Sequence, residues 1–233
     1  MRSQFLDLKK YNTDKIQHGY LRIYDPIFSN YADEEINLLE IGILSGGSLF
    51  LWRDYFPKGK IFGIDLNVPE HLNKEERIKV FSGSQQDENF LDSVAKNTVD
   101  GFDIIIDDAS HIGKLTKISF WHLFENHLKP GGIYVIEDWG TGYWGDWPDG
   151  EVYRPAKRIY SFFYDFLRRI RVLKGDYFYN HSFGMVGFIK QLVDEQGFAD
   201  VSRQYLTGKV KRISKFESIT ITSSLVFIKK RLH

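Results

Sequence analysis

The 233 residues include no cysteine, which excludes disulfides, thiolate nucleophiles and thiolate-ligated metals. Any metal must therefore be held by oxygen or imidazole. A charge bias is missing as well: Lys and Arg total 31, as do Asp and Glu, so no global field draws the chain to nucleic acid or anionic lipid. No uncharged apolar run approaches the roughly 20 residues of a membrane span, and the opening MRSQFLDLKK lacks the apolar stretch of a signal peptide. Internal repeats and low-complexity segments are also lacking. These absences predict a cytoplasmic protein with neither nucleic acid nor membrane as a partner.

What is present is 42% apolar and 16% aromatic residues in a chain of one-domain length, enough to bury a single core. Short β-rich apolar runs alternate with helix-length segments. NLLEIGI (37–43), KIFGIDL (60–66), IKVFSG (78–83), FDIIIDD (102–108) and GIYVIED (132–138) carry Gly, Asp or Glu at or beside their ends. Several are apolar at consecutive positions, as parallel strands buried on both faces require. Helices are predicted over about 47–55, 70–76, 87–96, 114–128 and 184–196, with Lys129-Pro130-Gly131-Gly132 as a stop and turn before the fifth strand. The spacing of Ile159, Phe162, Phe163, Phe166, Leu167 and Ile170 predicts an amphipathic helix over 154–173. Its basic face, Lys157, Arg158, Arg168, Arg169 and Arg171, reads as solvated. FESITIT (216–222) and SLVFIKK (224–230) read as a closing antiparallel pair. The expected fold is α/β: a Rossmann-like, doubly wound, mostly parallel seven-stranded sheet with helices on both faces.

In such a sheet, ligands bind beyond the carboxyl ends of the strands. After the first strand comes Glu40-Ile41-Gly42-Ile43-Leu44-Ser45-Gly46-Gly47-Ser48, a Gly-rich turn that lets backbone approach a ligand closely. It is not the dinucleotide fingerprint G-x-G-x-x-G, and Glu40 suits an amino-acid-bearing cofactor better than a pyrophosphate. Asp65, ending the second strand, stands where a carboxylate accepts both ribose hydroxyls of an adenosyl group. Ser84 and Gln85 after the third strand suit the nucleoside. Singly, these residues read equally well as a turn and a helix cap; in this order they read as a cofactor site built from Glu40, Gly42, Gly46, Ser48, Asp65, Ser84, Gln85 and, facing away from Asp108, Asp107.

The fourth strand ends Asp107-Asp108-Ala109-Ser110-His111 and the fifth ends Glu137-Asp138. If these strands are neighbours, Asp108, Glu137 and Asp138 form an oxygen site of the kind Mg²⁺ or Ca²⁺ prefers. Three carboxylates without a cation would repel one another, and burial would raise their pKa values. His111 then stands where a neutral imidazole can take the proton of a hydroxyl acceptor. Capping residues and an ordinary loop histidine are the plainer readings of these positions. The aromatic loop that follows, Trp139 to Trp147, suits a sugar ring or another amphipathic acceptor, or else packs over the sheet edge.

The phrases LEIGILSGGSLFLWRDYFPKGKIFGID, IIIDDASH and LKPGGIYVIEDWGTGYW, in that order, resemble the metal-dependent macrolide and sugar O-methyltransferases of antibiotic biosynthesis and the related proteins named cephalosporin hydroxylases. YNTDKIQHGYLRIYD is similar to the segment before the first strand in that group, so the resemblance covers about residues 11–144. Residues after 145 match poorly and are where substrate choice is expected. The resemblance implies a class I S-adenosylmethionine-dependent methyltransferase with Mg²⁺ on Asp108, Glu137 and Asp138, His111 as base, and Tyr143 and Trp144 facing the acceptor. It also implies that Thr13-Asp14-Lys15 and His18-Gly19-Tyr20 fold over the cofactor; alone they read as a helix cap and surface.

The expected organisation is one domain over 1–233: a helical cover (1–36), a cofactor and metal half (37–144), substrate-side helices (145–215) and closing strands (216–233). The expected reaction is Mg²⁺-dependent O-methylation of a small-molecule acceptor, a sugar or glycosylated natural product; a homo-oligomer stays open. Methylation of a catechol-like acceptor and a non-catalytic binding module are the alternatives. Iron-dependent hydroxylation wants two histidines with one carboxylate, and only His111 is placed here. A nucleic-acid methyltransferase would carry an Asn/Asp-Pro-Pro-Tyr motif for a flipped base, which the chain lacks.

Overall fold

In a computed structural model of the chain, residues 2–151, 166 and 182–232 are described. Seven strands form one sheet in the order β3-β2-β1-β4-β5-β7-β6. They are β1 (Asn37–Ile41), β2 (Lys60–Asp65), β3 (Ile78–Ser82), β4 (Phe102–Asp107), β5 (Leu128–Ile136), β6 (Phe216–Ile221) and β7 (Val226–Lys230). The first five are parallel, and β7 joins β5 and β6 antiparallel. The consecutive apolar runs thus follow from burial on both faces: Leu38 to Ile41 and Ile104 to Asp107 are all buried. The expected helix over 154–173 lies outside the described residues, apart from Phe166.

The remaining helices are α1 (Asp14–Gln17), α2 (Leu21–Phe28), α3 (Gly47–Tyr55), α4 (Glu88–Ala95), α5 (Gly113–Asn126), α6 (Gly184–Gln196) and α7 (Phe198–Val201). One side of the sheet packs on α2 and α3 through Tyr24, Phe28, Trp52, Tyr55 and Phe56. The other packs on α4, α5 and α6 through Leu91, Phe120, Phe124, Phe188 and Leu192. Asp149 ties the starts of α5 and α6 together, its Oδ2 accepting the N–H groups of Gly113 at 2.8 Å and Met185 at 2.7 Å. Among the described residues, no helix is long and apolar enough to cross a membrane.

Two local expectations are corrected. Residues 70–76 form a 3₁₀ turn, Glu70–Lys74, in place of an α-helix, because Pro69 and the neighbouring polar residues leave too few apolar positions for an amphipathic stripe. Lys129-Pro130-Gly131-Gly132 does not precede β5 but lies inside it. Pairing with β4 jumps from Phe102↔Leu128 to Ile104↔Ile133, so the turn residues bulge out of a strand that already began at Leu128.

Asp107, expected on the cofactor side, is buried between the sheet and α5 at 2% exposure. Its carboxylate accepts hydrogen bonds from Ser119 Oγ (2.9 Å), Tyr134 OH (3.0 Å) and Gln85 Nε2 (3.4 Å). Burial pushes its pKa from 3.8 up to about 6 despite those donors. The folded state therefore holds this proton more tightly than the unfolded chain. Its contribution erodes stability as pH rises through about 4 to 6, by about 3 kcal/mol in total. Asp107→Asn removes that slope, so urea unfolding should show the variant gaining on the wild type by about 3 kcal/mol between pH 4 and pH 7. A wild-type-to-variant difference that stays flat with pH would show that Asp107 does not titrate in this window.

Candidate active site

The site lies where β1, β2, β3 and β4 end. Asp108 N–H donates to Ile41 O at 2.9 Å and Gly42 N–H to Ile64 O at 2.8 Å, so the turns after β1 and β4 touch. Gly42 has φ +86°, and a Cβ there would stand 2.3 Å from the Asp108 carbonyl oxygen; only glycine fits. At Gly47 a Cβ would stand 1.9 Å from the Asn12 carbonyl oxygen, because the N-terminal segment lies directly on the first turn of α3. Asp65 holds the Gly-rich turn: Oδ2 accepts Ile43 N–H (2.9 Å) and Leu44 N–H (3.2 Å), and Oδ1 accepts Asn67 N–H (3.1 Å).

A cleft of about 780 Å³ results, within the usual size of a small-molecule site. The Gly-rich turn, Asp65, Ser84 and Gln85 line one end, and Asp108, His111, Asp138 and Trp147 the other, with residues 12–15 and Gln17 closing over it. Leu44, His111 and Asp138 all line this cleft in the left-handed region, at φ 46°, 51° and 51°. Such non-glycine conformations are uncommon and concentrate at functional sites.

Lys15 organises the acidic end. It is 1% exposed, and its Nζ lies 2.6 Å from Asp108 Oδ2, 2.8 Å from Glu137 Oε1 and 3.2 Å from Glu40 Oε1. Burial opposes the ammonium charge, yet Glu137, Asp108 and Glu40 outweigh it and hold Lys15 well above its ordinary pKa. Burial pushes Glu137 well above the carboxylate range, the Asp108 charge adding to the effect and Lys15 opposing it. Burial raises Asp108 and Glu40 too, against the pull of Lys15. Tyr24 OH donates to Glu137 at 2.6 Å.

The expected three-carboxylate group is therefore divided. Asp108, His111 and Asp138 bring potential ligand atoms within 4.8 Å of one another, as do Glu40, Asp108 and Glu137. Asp108 belongs to both sets. Asp138 turns from Glu137 toward the N-terminal segment, where Tyr20 OH donates to it. His111 Nε2 lies 3.8 Å from Asp108 Oδ1, and the His111 ring stands 5.9 Å from that of Trp147.

Of the expected cofactor residues, Gly42, Ser48, Asp65, Ser84 and Gln85 line the cleft, whereas Glu40, Gly46 and Asp107 do not. Glu40 is fully buried, accepting Ser48 Oγ at 2.6 Å and Trp52 Nε1 at 3.4 Å. Gly46 faces Leu72 instead. Glu137 does not line the cleft, because its carboxylate is turned inward to Lys15 and Tyr24. Tyr143 and Trp144, at the end of the 3₁₀ turn Trp139–Tyr143 and just beyond it, do not line it either; they are 45% and 56% exposed. The aromatic that does face it is Trp147, from the same loop. Its buried indole N–H has no hydrogen-bond partner among the described residues. Thr13-Asp14-Lys15 lines the cleft as the resemblance implied, but the pairing of Lys15 with the carboxylates was missed, because by itself the segment reads as a cap, and Thr13 does cap α1 by accepting Lys15 N–H at 3.4 Å.

No family model matches the chain. It is 42% identical over 134 residues to the mycinamicin VI 2''-O-methyltransferase of Micromonospora griseorubida, covering 54% of this chain and 33% of that one. The demethylmacrocin O-methyltransferase of Streptomyces fradiae matches to the same extent, at 42% identity with the same coverage. Among solved structures, MycE methyltransferase from the mycinamycin pathway, in complex with Mg, SAH and mycinamycin VI, superposes with a TM-score of 0.70 at 30% identity. That match covers 99% of this chain and 56% of MycE. The matched part is thus about a third of the length of these curated relatives. Its sheet order and its superposition on MycE show that the chain has the Rossmann-like fold of a class I methyltransferase.

Proposed function

We propose that the chain transfers a methyl group from S-adenosylmethionine to a hydroxyl of a sugar or glycosylated natural product, assisted by Mg²⁺. The observation that carries this reading is that one cleft joins the Asp65-held Gly-rich turn to the Asp108, His111 and Asp138 group. By their names, curated relatives O-methylate mycinamicin VI, demethylmacrocin and L-olivosyl-oleandolide, the last of which carries a sugar. The neutral charge balance favours a small acceptor over nucleic acid.

The residues fit both groups. A carboxylate has about four lone-pair sites; Asp65 uses three on backbone N–H groups, which leaves one to receive a ribose hydroxyl beside Ser84 and Gln85. The all-oxygen and imidazole donors at the other end suit a hard cation. Asp108 and Asp138, which face the cleft, would hold Mg²⁺, and Glu137 would join them only if Lys15 withdrew. Bound there, Mg²⁺ would acidify an acceptor hydroxyl, and the cofactor sulfonium would supply the methyl. His111 Nε2 takes the hydroxyl proton, and the nearby Asp108 carboxylate stabilises the imidazolium that results. Tyr20 fixes the orientation of Asp138, and the Trp147 indole offers an apolar face and an N–H to the acceptor. The proposed organisation is a helical cover (1–36), the cofactor and metal half (37–144), substrate-side helices (145–215) and closing strands (216–233).

Calorimetry with S-adenosylhomocysteine is the test. Wild type should bind, and Asp65→Ala should bind at least about tenfold more weakly, as loss of a charged hydrogen bond implies. Failure of the wild type to bind with or without Mg²⁺ would overturn the proposal. His111→Gln should retain that binding yet lower methyl transfer to a glycosylated macrolide by roughly 10²- to 10⁴-fold; unchanged turnover would remove it as the base.

Lys15→Met leaves Glu40, Asp108 and Glu137 buried together without their cation. It should cost about 3 to 5 kcal/mol of stability in EDTA at neutral pH. Part should return as pH falls, because the folded carboxyls, raised above their unfolded pKa, take up protons first. Thermal melts of wild type and variant decide it, and equal midpoints in EDTA would show that Lys15 does not neutralise the group.

A further inference from the structure

Asp92, His122 and His127 form a second polar cluster between α4 and α5, and none of them lines the cleft. Asp92 lies in α4, His122 near the end of α5, and His127 caps it. The His127 carbonyl oxygen accepts the N–H of Phe102, the first residue of β4, at 2.8 Å. The cluster therefore sits at the amino ends of the parallel strands, on the edge opposite the cleft.

Both imidazoles aim the same nitrogen at one point: His122 Nε2 and His127 Nε2 each lie 2.7 Å from Asp92 Oδ1. The rings are 5.4 Å apart at 56°. The two histidine side chains are 12% and 20% exposed and Asp92 is 42% exposed, so the cluster is held on the protein side and open on the other. Ligand atoms around a tetrahedral ion with bonds near 2.0 to 2.2 Å stand about 3.3 Å apart. The present spacing needs only a small opening, which the half-exposed Asp92 can supply by rotating.

A further observation points the same way. His122 Nδ1 lies 3.8 Å from Glu88 Oε2. An imidazole that ligates a metal through one nitrogen characteristically directs the N–H of the other at a carboxylate, and the exposed Glu88, one turn before Asp92 on α4, can reach that position by a side-chain rotation that closes the 3.8 Å gap. Two imidazoles with one carboxylate suit a borderline cation, whereas Mg²⁺ prefers an all-oxygen shell.

We propose that Asp92, His122 and His127 bind one divalent cation of the Zn²⁺, Co²⁺ or Ni²⁺ class, at a site separate from the cleft. Because Asp92 comes from α4 and the histidines from the end of α5, the ion cross-links two helices at the base of the sheet. It stabilises the folded chain by mass action, as any ligand of the native state does.

The test is a Co²⁺ titration of EDTA-stripped protein in excess Mg²⁺, followed by visible absorption and proton NMR. One equivalent of Co²⁺ should bind with a tetrahedral band and shift the imidazole signals of two of the seven histidines, and Zn²⁺ should displace it. His122→Gln and His127→Gln should each weaken binding by at least about tenfold, while Asp108→Asn leaves it unchanged. The wild-type NMR spectrum does not depend on either variant folding. The proposal is overturned if wild type takes up no Co²⁺ in excess Mg²⁺, which would make the cluster a hydrogen-bonded trio alone. Undiminished uptake by the His122→Gln/His127→Gln double variant would overturn it equally.

Discussion

One buried ammonium group governs the chemistry of the strand-end edge. Lys15 Nζ sits among Glu40, Asp108 and Glu137, three carboxylates that come from the ends of β1, β4 and β5. Strand order alone brings these acids together, because β4 is flanked by β1 and β5. In a medium of low effective dielectric, their mutual repulsion would be severe. A cation from a segment far away in sequence offsets it, and in doing so pins residues 12–15 and Gln17 over the cleft. Closure and neutralisation are therefore one interaction.

That arrangement also separates the acids by role. Glu40 and Glu137 are turned inward, Glu40 holding α3 through Ser48 and Trp52 and Glu137 holding α2 through Tyr24. Asp108 faces both ways, and Asp138 faces the cleft with His111. Three non-glycine residues in left-handed backbone mark the same cleft. The turns after β1 and β4 are pressed together, and those after β4 and β5 are bent sharply so that Asp108, His111 and Asp138 converge on one volume. The strain is the consequence of reaching a shared point from different strands.

Much of this was legible in the chain. Consecutive apolar runs such as FDIIID can only be strands covered on both faces, which implies parallel pairing with helices between them. The seven strands and the helices over 47–55 and 184–196 follow from local pattern, as does the position of Asp65 at the end of β2. Pattern failed where local signals compete. Lys129-Pro130-Gly131-Gly132 has turn chemistry but bulges within β5, because Leu128 already pairs with Phe102. Tyr143 and Trp144 share a loop with Trp147, and nothing local distinguishes which of the three aromatics turns inward.

The amino-acid sequence by itself determined the doubly wound sheet, the Gly-rich turn and the set of acids at the strand ends, because periodicity and turn chemistry act over a few residues. Only the tertiary structure decided which acid faces a ligand and which faces a buried lysine, because those partners lie 93 and 122 residues from Lys15 along the chain. It likewise placed Asp107 beneath Gln85 and gathered Asp92 with two histidines at the opposite edge. Adjacent residues at a strand end differ only in which side of the sheet they enter, and what waits on each side is set by helices that no local pattern can position.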